Sequence, residues 1–128
     1  MIDRPTLLFV ESDVIVRHPI AQYLRDCGYR VVEVSDTEEG EILLKEDHVS
    51  IDVALLHTNG DQTTFALAHW IRANRPDTSV VIAASVDAAA HKAGELCKES
   101  PAALSIPYEP TRLVDIIKRM RSKQTKDA

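Results

Sequence analysis

The sequence predicts one α/β domain, a doubly wound five-stranded parallel sheet with five helices, and three observations predict it. Four short runs rich in Val, Ile and Leu, at residues 7–10, 31–34, 53–56 and 80–84, are apolar on both faces, as strands in the middle of a parallel sheet are. Between the runs lie segments with helical periodicity, so strand and helix alternate along the chain. The length of 128 residues, with 45% hydrophobic content, suffices for one sizeable core. The domain is placed at residues 1–121, and residues 122–128 are read as a polar, frayed tail with nothing to pack against.

Each helix carries its own punctuation. Asp13 caps the first, which runs to about Cys27, where Gly28 supplies the left-handed residue that ends it. Asp36 with Glu39 three residues later is a capping pair for a second helix that ends near Lys45. The third covers residues 65–74 and stops before Pro76, and Asp87 opens a fourth that runs to about Lys98. Pro110 stands at the first position of the fifth, behind a cap at Glu109, and Leu113, Ile116, Ile117 and Met120 form its apolar stripe. Pro19 removes a backbone hydrogen bond within the first helix and bends it. The fifth strand, residues 103–106, is assigned from its place between the fourth and fifth helices.

Composition narrows the function. Fifteen basic residues against twenty acidic ones give a net charge of -5, and the Lys and Arg residues are scattered, so nucleic acid is not expected as a ligand. The two cysteines, Cys27 and Cys97, sit inside helix-like segments without metal-type spacing, and are read as two small buried thiols of a reduced compartment. Residues 1–6 lack the apolar stretch of a signal peptide and no run reaches membrane-spanning length. A cytoplasmic protein is expected, with no membrane partner.

Five alternating units suggest a flavodoxin-like sheet, whose ligands bind beyond the carboxyl ends of the strands. The turns there read Phe9-Val10-Glu11-Ser12-Asp13, Leu55-Leu56-His57-Thr58-Asn59, Ala83-Ala84-Ser85 and Ile106-Pro107-Tyr108-Glu109-Pro110. With these residues the chain resembles the receiver domains of two-component response regulators, over residues 7–120. Residues 7–29, with the acidic turn, Arg17 and the closing Cys27-Gly28-Tyr29, match the family's opening motif without a gap. Pro107-Tyr108-Glu109-Pro110 matches its closing Lys-Pro-Phe-Asp-Pro motif apart from the lysine.

The resemblance implies a site for phosphoryl transfer: an acceptor aspartate after the third strand, two acidic residues holding Mg2+ after the first, a Ser or Thr ending the fourth and a lysine ending the fifth. Carboxylates suit Mg2+ because it is a hard cation, and lysine and hydroxyl stabilise the transferred oxygens. This sequence departs from that set almost throughout. His57 stands at the acceptor position, Glu11 alone remains of the acidic pair with Ser12 beside it, Ala84 replaces the hydroxyl and Ile106 the lysine. Ala103 stands where the family's fifth strand carries an aromatic residue. The losses are electrostatically consistent, because carboxylates that would repel one another have gone together with the cations that offset them.

The expectation is a pseudo-receiver with no catalytic role, no metal and no cofactor, working in phosphorelay-type signalling by binding a histidine kinase, another regulator or a second copy of itself. By resemblance, the docking face is the fourth helix, fifth strand and fifth helix, with Ala89, Ala93, Leu104, Tyr108 and Arg112 as candidates. The alternative is an active phosphoryl acceptor that uses His57 or Asp61. His57 as a pH sensor, or as a transition-metal ligand with Glu11 and Asp13, is a further reading. Ser85 could replace the missing hydroxyl if the fourth strand ended late, and Trp70 belongs either to the core or to an exposed patch. A flavin-binding flavodoxin has the least support, since Gly60 alone offers a phosphate-cradling turn.

Overall fold

The computed structural model describes residues 4–46, 49–99 and 107–126. Four strands, β1 (Thr6–Val10), β2 (Arg30–Val34), β3 (Val53–His57) and β4 (Ser79–Ala83), form one sheet in the order β2-β1-β3-β4, with every pair parallel. The expected fifth strand, with Leu104 and Ile106, lies outside the described residues. β1 is the centre: Leu7 pairs with Val31 on one side and Val53 on the other, and Leu7, Leu8 and Phe9 are wholly buried. A strand covered on both faces must be apolar at every position, which is why residues 7–10 show no alternation.

The period of two along β1 divides the interior into two cores. Leu7 and Phe9 face α1 (Val14–Asp26), α4 (Val86–Glu99) and α5 (Pro110–Lys126), whereas Leu8 and Val10 face α2 (Thr37–Leu44) and α3 (Gln62–Asn74). On the second side Gly40 lets α2 lie close, since an added Cβ would stand 3.3 Å from Val10 Cγ2. Trp70 is half-buried at the margin of that core, with Lys45 Nζ and the Arg75 guanidinium each 5.8 Å from its ring, so it belongs partly to both readings.

The caps explain the helix boundaries. Asp13 accepts from Ile15 N–H, Gly28 closes α1 at φ 102°, and Asp36 accepts from Glu39 N–H. α3 begins at Gln62, three residues ahead of the expected start, because Asp61 accepts from the backbone N–H and the hydroxyl of Thr64. β4 ends at Ala83, and Ser85 Oγ accepts from Ala88 N–H, so Ser85 and not Asp87 opens α4, and Ser85 is a cap rather than a substitute hydroxyl. α1 continues through Pro19. α5 continues past residue 121 to Lys126, where a frayed tail was expected.

The placement of α4 corrects two expectations. Ala89 and Ala93 are fully buried, packed with α1 and α5, so the small residues form core and not a smooth outer surface. Gly94 meets Pro110 so closely that an added Cβ would stand 2.5 Å from Pro110 Cγ. Small side chains are what the crossing of α4 over α5 requires. Of the other interface candidates, Tyr108 is half-buried, with its ring edge-on to Tyr23 and its carbonyl accepting from the Tyr23 hydroxyl, and Arg112 is exposed.

Nor are the cysteines free. Cys27, at the end of α1, and Cys97, in the last turn of α4, form a disulfide, with Cα atoms 5.3 Å apart and a separation of 70 positions in sequence. That Cα distance is within the range a disulfide spans. Linear spacing held no hint of the pair, because only the packing of α4 against α1 brings them together.

Candidate functional site at the strand ends

Glu11 follows β1 directly and is 4% exposed, and its peptide N–H donates to Val34 O, which continues the β1–β2 ladder one residue further. Arg17 donates to Glu11 O at 2.8 Å and to Glu33 Oε1 at 3.3 Å, fixing the turn against β2. The Arg17 of the opening motif is thus a brace for the backbone that carries Glu11.

His57 ends β3 and points toward the same turn. Its Nδ1 lies against Glu11 Oε2, while Glu11 Oε1 accepts from Asp13 N–H at 2.9 Å. Oε2 is buried and, among the described residues, accepts no hydrogen bond. Asp13 in turn accepts from Ile15 N–H on Oδ1 and from Arg121 Nη2 on Oδ2, both at 2.9 Å. A continuous chain of polar contacts therefore runs from α5 through Asp13 and Glu11 to the end of β3.

The charges settle accordingly. Burial pushes His57 below its ordinary value of 6.5, and the nearby positive charge of Arg121 pushes in the same direction. Both effects favour the neutral imidazole beside the carboxylate. Burial would raise Asp13, but hydrogen bonds from Arg121 and Ile15 outweigh it and leave its carboxyl below the usual range. Asp61 is also held low, by the hydroxyl and N–H of Thr64.

A cavity of about 120 Å³ opens beside these groups, lined by Glu11, Ser12, Asp36, His57, Asn59 and Asp61 among others. Ser12 and Ala84 are exposed, and Ile106 lies outside the described residues, so of the five expected site positions the structure joins only Glu11 and His57 directly. The residues present do not fit Mg2+. Glu11 has one oxygen on the Asp13 amide and the other against His57, Ser12 brings no charge, Asp13 is held by Arg121, and among the described residues no group of three or more His, Cys, Asp or Glu side chains could hold a metal ion.

Sequence reasoning missed Arg121, although a signal existed. Arg121 is the i+4 continuation of Leu113 and Ile117, both fully buried, so one more turn of α5 carries the inward stripe to the site. His57 stability linkage gives a test. A histidine depressed in the folded state stabilises fully above its unfolded value and loses that contribution as pH falls through the folded one. An NMR titration of the His57 ring is expected to show a midpoint below 6.5, and Arg121→Ala is expected to move it upward by removing the repelling charge.

No protein-family model matches the sequence, and no curated protein matches it. Solved structures do match by shape. A CheY-like response regulator receiver domain protein from Methanospirillum hungatei JF-1 superposes with a TM-score of 0.59 at 21% identity, over 98% of this chain and 100% of that one. The chain has a CheY-like receiver fold. The signal receiver domain of a LuxO repressor protein from Vibrio parahaemolyticus matches this receiver fold at 0.56, with 23% identity over 98% and 99% of the two chains. The BeF3-activated DrrB receiver domain of Thermotoga maritima matches it at 0.55, with 20% identity over 94% and 99%.

Proposed function

We propose that this domain is a pseudo-receiver of two-component signalling, not phosphorylated, that acts by binding a protein partner in the cytoplasm and is not an enzyme. The observation that carries the reading is the engagement of Glu11. Its carboxylate, the sole survivor of the expected metal ligands, faces the His57 imidazole with one oxygen and accepts from the Asp13 amide on the other. Phosphoryl transfer to an aspartate needs a free acid pair, a metal and an acceptor carboxylate in one cup. Here an imidazole stands at the acceptor position and a guanidinium neutralises the neighbouring carboxylate.

The partner is expected to be a histidine kinase, another regulator or a second copy of the chain. Receiver folds are used in this way, and no helix among the described residues is long and apolar enough to cross a membrane. Since Ala89 and Ala93 are buried, the surface for that partner is not the alanine face of α4.

The deciding experiment is a titration with Mg2+ and beryllofluoride, followed by Trp70 fluorescence and by amide NMR shifts of residues 10–13 and 57–61. No saturable response is expected. A saturable one, or acid-stable or base-stable phosphate found by mass spectrometry after incubation with acetyl phosphate, would replace this reading by that of an active acceptor at His57 or Asp61. Asp61 is already occupied as the cap of α3, which weighs against it.

A further inference from the structure

We infer that the Cys27–Cys97 pair is a thiol–disulfide switch, which fastens the last turn of α4 to the end of α1 when oxidised and releases that turn when reduced. The two sulfur atoms lie in a fully buried cluster, and the covalent bond is seconded by one hydrogen bond, from the Tyr29 hydroxyl to Leu96 O at 2.8 Å. Lys98 and Glu99, which follow it, are exposed, and so is Asp26 at the end of α1. The fastening therefore sits where a helix end meets the surface, the kind of place that opens locally without unfolding the sheet.

Both oxidation states are compatible with the fold. A free cysteine behaves as a small apolar side chain, so two thiols fit the same buried cluster that the disulfide occupies. The chemistry balances with a low-molecular-weight thiol such as glutathione. Its thiolate attacks one sulfur, the other cysteine leaves as thiolate and takes a proton, and a second thiol resolves the mixed disulfide. Two thiols are oxidised to one external disulfide while the protein bond takes up two electrons and two protons. Reading the pair as a switch rather than a permanent staple rests on the cytoplasmic assignment in the proposed function, because disulfides of reducing compartments serve chiefly in sensing and catalysis. The geometry of the pair itself does not depend on whether the strand-end site accepts phosphate.

The test uses the full chain equilibrated in glutathione buffers from fully oxidised to fully reduced, with thiols trapped by alkylation and counted by mass spectrometry, and with hydrogen–deuterium exchange read on the same samples. The expected result is a reversible change of two alkylated cysteines per chain within the glutathione range. Exchange of α4 amides is expected to be accelerated in the reduced form at least tenfold more than that of β1 and β3 amides, which follow the loss of global stability alone. The C27A/C97A variant is expected to exchange like the reduced form in every buffer. The switch is overturned by a bond that stays closed in excess glutathione, by a reduced chain whose α4 exchanges no faster, or by equal acceleration in the central strands. The wild-type chain supplies all three readings, so the outcome stands apart from the folding of the variant and from the beryllofluoride titration.

Discussion

Replacing both cysteines by alanine is expected to cost about 4 kcal/mol of stability, the loop-closure entropy that a cross-link spanning 70 residues removes from the unfolded chain. Both sites are fully buried, so the space left by the two sulfur atoms adds to that loss. Because whole domains of this kind are stable by only about 5–15 kcal/mol, the bond accounts for a large share of the total. Urea denaturation of oxidised wild type against C27A/C97A measures it. Coincident midpoints would show that the cross-link does not form in solution.

Ala93→Arg is expected to lower stability by about 3 kcal/mol or more, and the thermal midpoint by roughly 10 °C or more. Ala93 is wholly buried with α1 and α5, so a guanidinium there has neither room nor water. Arg112→Ala, at an exposed position on α5, is expected to stay within about 0.5 kcal/mol. The pair of variants discriminates the observed packing from an exposed docking face. If Ala93→Arg left the midpoint unchanged and instead disturbed partner binding, α4 would lie elsewhere than against α1.

The strands were legible because a buried parallel strand leaves an unmistakable mark, an unbroken apolar run such as residues 7–10. The helix caps at Asp13 and Asp36 were legible for a similarly local reason. What escaped was whatever depends on the direction a helix takes after leaving the sheet. A row of alanines looks the same whether it faces solvent or core, so Ala89 and Ala93 gave no sign of their burial, and Cys97 gave none of its partner. The start of α3 was missed because Gln62-Thr63-Thr64 is polar and reads as loop until Asp61 is seen to cap it.

At the site, the turn positions of Glu11 and His57 were readable from the motif, and an ion pair or hydrogen bond between them was chemically reasonable. The contribution of α5 was not readable in the same way. Arg121 lies within the expected domain and is aligned with Leu113 and Ile117, but its reach to Asp13 depends on how α5 packs against the end of β1. The guanidinium that holds Asp13 comes from a part of the chain 108 residues away.

The two cores also differ in how they are fastened. Three helices and a covalent bond close over Leu7 and Phe9, with the Tyr23 hydroxyl of α1 donating to Tyr108 O and the Tyr29 hydroxyl, just before β2, donating to Leu96 O. On the opposite side α2, only eight residues long, buries little more than Gly40 and Leu44. Local opening is thus expected to begin at α2, and the flank carrying the cysteines is expected to come apart last for as long as its bond is closed.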